Sequence, residues 1–210
     1  MEFSSAAPSV IKSVKQRDLL NAWLRLYDKT RQPTLAEYNP DRLAEEKADL
    51  VYYKVFMNAD GPRFMINSEG SRLAQGYGRV NEGNKGAWLD EYVGPKLATV
   101  VLPVYVECTK RCLPIYTITK IRDVRGHTID YERLMLPFFT DGVESDILIS
   151  GKLISEAGRF ELNNMFRVRD ELPLPILRAV IDPELASPIL QPQRKRDRGS
   201  AAAMTDVVEI

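Results

Sequence analysis

One histidine and two cysteines in 210 residues leave little from which to build a metal centre or a catalytic triad. With His127 as the only histidine, a multi-histidine metal site or a histidine-dependent triad within one chain is nearly excluded. Two cysteines cannot make a disulfide scaffold, so a reducing, cytoplasmic setting is the expectation. An excess of one charge is also missing: 29 Lys and Arg balance 29 Asp and Glu. No global field then draws the chain to nucleic acid or to an anionic membrane, and no nucleic-acid partner is expected. No apolar run approaches the roughly 20 residues that cross a bilayer, so no membrane span is expected. The opening MEFSSAAPSV lacks the basic and apolar regions of a secretory signal and reads as a flexible N-terminus over residues 1–15. What is present is ordinary globular composition, 44% hydrophobic and 28% charged, enough for a sizeable core.

The patterning divides the rest. From Gln16 to Lys29, Leu19, Leu20, Trp23, Leu24 and Tyr27 form an amphipathic helical stripe, which Pro33 and the residues before it stop. In the following connection, up to residue 48, Asn39 is placed to cap a short helix with Pro40 at its first position. LVYYKVFM and RFMINSEG, separated by Asn58-Ala59-Asp60-Gly61-Pro62, read as strand, turn and strand. Glycine-punctuated turns follow, and then a helical spacing of Leu97, Val100, Val101 and Val104 that Pro103 is placed to kink or divide. LPIYTITKIRDV, HTIDYERLMLPFF and VESDILISGKLI complete a three-strand meander. The expected fold is α+β: a five-stranded antiparallel sheet over residues 49–157, short helices on one face and the leading helix outside it. Residues 158–190 read as an extension and 191–210 as a disordered tail.

Three stretches in this order carry a family resemblance: DLLNAWLRLYDKTRQPTLAEYNPDRL, then RFMINSEGSRLAQGYG with WLDEY, then YERLMLPFFTDGVESDILISGKLI. Together, over roughly Arg17 to Ile154, they resemble a PAS domain, in particular a bacterial family of small single-PAS proteins with a leading helix. The resemblance implies a sensory or regulatory module in signalling that binds a small molecule or a protein partner, often dimerises, and does no catalysis itself. The seam of such a homodimer would be Leu19, Leu20, Trp23, Leu24 and Tyr27. The pocket between helices and sheet would be lined by Met65, Trp88, Tyr92, Val101, Tyr105, Ile118 and Met135, with no cofactor expected. The alternatives are a structural interaction adaptor whose pocket is filled by its own side chains, or, with least support, a small hydrolase or isomerase.

Other candidate chemistry weighs less. Cys108 and Cys112, flanked by Lys110 and Arg111, have the electropositive setting of a reactive thiolate, but two thiols and one distant histidine are poor evidence for zinc. Asp141, Glu144 and Asp146 resemble an acid pair, yet Asp141-Gly142 is what a tight turn requires. GYGRVNEGNKG lacks both a dinucleotide fingerprint and a P-loop. RKRDR, residues 194–198, reads as a solvated basic cluster.

Overall fold

The computed structural model describes residues 2–41, 43–80, 84–167 and 171–186. The tail from 191 and the basic cluster 194–198 lie outside the described residues. Among the described residues seven strands form one sheet: β1 (Ser4–Ala6), β2 (Leu50–Asn58), β3 (Gly61–Glu69), β4 (Ile115–Arg122), β5 (Thr128–Thr140), β6 (Val143–Ser155) and β7 (Leu174–Ile181). The helices are α1 (Val14–Thr30), α2 (Leu43–Glu46), α3 (Ser71–Gly76), α4 (Leu89–Val93) and α5 (Pro95–Arg111).

The sheet runs β1-β7-β4-β5-β6-β2-β3. Its five strands β4-β5-β6-β2-β3 are antiparallel and correspond to the five runs expected from the sequence. Two strands correct that expectation. β7 pairs antiparallel with β4, and β1 pairs parallel with the last three residues of β7, so the sheet is mixed and seven-stranded. Pro175 obscures β7 in the sequence. It lies at the register shift between Ile118 and Thr119 and beyond the reach of β1, where a missing N–H is tolerated. The N-terminus, expected to be flexible, supplies β1 and then Ser13, whose Oγ accepts from the Gln16 backbone N–H to cap α1.

Helices lie on both faces. On one, Leu19, Leu20 and Trp23 of α1 pack with Leu134, Leu136 and Phe138 of β5 and Leu148 of β6. On the other, Leu73, Tyr92, Val101, Val104 and Tyr105 from α3, α4 and α5 pack on Phe64, Ile66, Ile115, Met135 and Ile149. Alternation along β5 therefore sends successive side chains into two different cores. α5 runs unbroken through Pro103 because that residue is on the solvent side, where its lost hydrogen bond leaves a carbonyl that water can reach. α2 begins at Leu43, so Pro40 is not its first residue.

The corner YERLMLPFFTDGVESDIL is a hairpin. Asp141 (φ 50°) and Gly142 (φ 80°) make a two-residue turn between the paired Thr140 and Val143. Pro137 lies inside β5, where the strand has lost its β4 neighbour and approaches a bulge. It pairs with Ile147 beyond the start of β4, one residue short of the bulge at Phe138 and Phe139, so its other edge needs no donor there. Asp146, far from being half of an acid pair, is buried and held by Lys54 at 2.7 Å, its cross-strand partner on β2.

Gly70 opens α3 against the preceding turn. A Cβ there would clash with the Ala48 carbonyl oxygen, a backbone atom of the short turn before β2. Gly70→Ala is expected to lower stability by about 2 kcal/mol, checked by urea unfolding.

Candidate ligand site between helix and sheet

The helix-facing side of the sheet is read most simply in cross-strand rows. Ile115 and Met135 form one row, Thr117 and Arg133 the next, Thr119 and Tyr131 the one after. Arg178 of β7 extends the middle row beyond Thr117. The first row is apolar and fully buried, the second polar and nearly as buried: Thr117 is 2% exposed and Arg133 8%. Over these rows run Leu97, Val100, Val101 and Val104 of α5, with Phe166 and Pro173 closing the side. A cavity of about 40 Å³ remains between them. It shares Ile121, Phe166 and Pro173 with a wider cleft of about 440 Å³ that carries Lys120, Arg122 and Glu171.

Aromatic rings occupy most of the neighbouring space. Tyr105 packs edge-on against Tyr53 at 5.2 Å, and Tyr77 bridges Tyr92 at 4.9 Å and Phe166 at 4.7 Å. Burial raises the phenols of Tyr53, Tyr77, Tyr105 and Tyr131 above their ordinary range, so all stay neutral at physiological pH. At Tyr105 the nearby Arg133 charge opposes that rise; the guanidinium carbon is 5.6 Å from the ring centroid. Glu69 lies within electrostatic reach of these tyrosines. Burial raises its pKa, while hydrogen bonds donated by Tyr92 (2.8 Å) and Asn84 (2.7 Å) hold it down.

The structure separates the residues expected to share a pocket. Tyr92, Val101, Tyr105 and Met135 do share the core under α3–α5, but only Val101 borders the cavity. Ile118 points to the opposite core, because it alternates with Thr117 and Thr119. Met65 and Trp88 bridge each other along the outer edge strand β3; Trp88 meets Phe56 edge-to-face and carries the Arg63 guanidinium at 4.2 Å. Period-two reading of YERLM would have found Arg133, which shares a face with Tyr131 and Met135.

The stripe expected as a dimer seam is covered by the chain's own sheet. Leu19 is 1% exposed, Leu20 and Trp23 are fully buried, and Leu24 and Tyr27 are half-buried. The amphipathic pattern announced a buried face correctly but did not say whether a second copy or a sheet would bury it.

His127 lies in the turn between β4 and β5, where its Nδ1 contacts Asp123 Oδ2 at 2.8 Å. Cys108 is buried and Cys112 exposed at the left-handed cap of α5. Among the described residues no group of three or more His, Cys, Asp or Glu is placed to hold a metal ion. No helix among them is long and apolar enough to cross a membrane. Compared with family models and with curated proteins, the sequence matches none.

Proposed function

We propose that the chain is a regulatory module of the PAS type, which binds a small molecule between α5 and the sheet and performs no catalysis. The observation that carries this reading is the arrangement around the five antiparallel strands. Two strands, three helices and three strands follow a leading helix, and the inserted helices leave a partly polar, incompletely filled space above the sheet. Such a space is where small molecules commonly bind. The other face of the same strands holds α1 through two buried hydrogen bonds: Trp23 Nε1 donates to the Pro137 carbonyl at 2.7 Å, and Gln16 Nε2 to that of Ser150 at 2.9 Å. β5 thus touches the cavity with Arg133 and the leading helix with Leu134 and Leu136. A ligand that prefers one packing of these strands would shift α1, and only to the extent of that preference.

The second reading, an interaction adaptor with a self-filled pocket, is favoured by the aromatic packing around Tyr77 and Tyr105. Native mass spectrometry of the protein purified from its own host separates the two. A small molecule released on denaturation is expected; repeatedly empty spectra favour the adaptor.

A further inference from the structure

Arg133 is a cation taken out of water, with the Tyr105 hydroxyl as a hydrogen-bonding neighbour but no opposite charge beside it among the described residues. It is 8% exposed, its Nε has no hydrogen-bond partner, and among the described residues no carboxylate pairs with it. A guanidinium cannot shed its proton to escape this, so the site is costly until an anion arrives. Its cross-strand neighbour Thr117 is equally incomplete: the Oγ1 is buried and unpartnered. Both side chains border the cavity beneath α5. Glu69, an acid within electrostatic reach of the same tyrosines, already accepts from Tyr92 and Asn84. Arg178 borders the same space from β7, with its guanidinium 5.6 Å from the Phe3 ring.

We propose that this cavity binds a short-chain monocarboxylate, its carboxylate on Arg133 and Thr117 and its alkyl part against Val100, Val101 and Val104. The inference rests on the ligand-binding reading above and assigns its chemical class. A planar guanidinium fork matches a carboxylate, and a threonine hydroxyl adds a donor to it. The valine wall gives a phosphate or sulfate nothing to bond with on that side, whereas it shelters methylene groups. A cavity of about 40 Å³ admits a few heavy atoms, not a drug-sized molecule. The pairing reverses the isolation of a buried charge, so anion and cation stabilise each other in place of bulk water. The cavity also uses Phe166, Pro173 and β7, which lie outside the five-stranded unit.

The test is sodium butyrate titrated into the full chain, at ionic strength matched with sodium chloride, while the arginine side-chain N–H resonances are followed by NMR. A saturable shift of the Arg133 Nε–H is expected, with none from butanamide, which has the same shape without the charge. Arg133→Gln should weaken butyrate binding by at least about tenfold. Thr117→Val, which keeps shape and packing, should weaken it by a few fold. An unchanged butyrate affinity in both variants, or equal binding of butanamide, overturns the proposal. So does a butyrate series that leaves Arg133 unmoved. In that last case a small molecule found by native mass spectrometry means that only the carboxylate assignment fails; empty spectra mean that the ligand-binding reading fails with it.

Discussion

Trp23→Ala lowers the unfolding free energy by about 3–5 kcal/mol, the range for emptying a large buried aromatic site. Trp23 is fully buried between α1 and the sheet, stacked on Tyr27 at 4.9 Å. Its loss leaves a cavity lined by strand side chains that cannot move inward, because the ladder holds them. It also strands the Pro137 carbonyl, which accepts the indole N–H at 2.7 Å and faces no neighbouring strand on that side. Trp23→Phe isolates the second effect, since it keeps most of the apolar volume and removes the donor. That variant is expected to lose about 1–2 kcal/mol. Urea unfolding of both, followed by far-UV circular dichroism, checks the pair. If Trp23→Ala changed stability by less than 1 kcal/mol, roughly the scale of a surface substitution, α1 would not pack on the sheet as described.

Asp123→Ala is the second large effect, about 3 kcal/mol, from leaving buried donors without their charged acceptor. Asp123 is wholly buried in the β4–β5 turn. Its Oδ1 accepts from the backbone N–H groups of Arg125 (2.9 Å) and His127 (2.8 Å). Its Oδ2 accepts from the backbone N–H of Glu161 at 2.8 Å and lies 2.8 Å from His127 Nδ1. One carboxylate thus ties the turn to the strand-free segment after β6. Burial by itself would raise its pKa, but the bonds from Glu161, His127 and Arg125 outweigh that and hold it well below the usual carboxylate range. The sign follows directly. A carboxylate with a depressed folded-state pKa contributes its full stability above the unfolded value of about 4. That contribution fades as the pH falls below this value toward the lower folded one. The gap in stability between wild type and Asp123→Ala should therefore be constant from pH 7 to 5 and shrink steadily below pH 4. A gap that did not change with acid would show that Asp123 is not held ionised by these donors.

Much of the fold was legible because its signals are local. The five central strands announce themselves through alternation and β-branched content, and the Asp141-Gly142 corner through residues that tolerate positive φ. α1 is marked by its stripe, whereas its cap Ser13 lies in the segment expected to be flexible. β7 was hidden because its pairing partner Ile115–Arg122 is over fifty residues away, and because Pro175 argues against a strand unless the bulge opposite is known. β1, three residues long, has no periodicity to read.

The candidate site was less legible than the fold. Apolar residues at helical spacing, such as Val101 and Tyr105, mark the core but not which of them touch a cavity. Met65 and Trp88 look equally apolar and sit at an outer edge, since one residue of register moves a side chain to the other face. By itself the sequence determined the class of elements, their order, the corner and the poverty of histidine and cysteine chemistry. Composition and near-neighbour preferences decide those. Only the tertiary structure decided that a sheet covers the Trp23 stripe, that two more strands extend the sheet, and that Arg133 and Thr117 are buried side by side with no carboxylate among the described residues paired to the guanidinium. Those depend on which distant segments pair, and a buried charge is recognisable only once everything that surrounds it is in place.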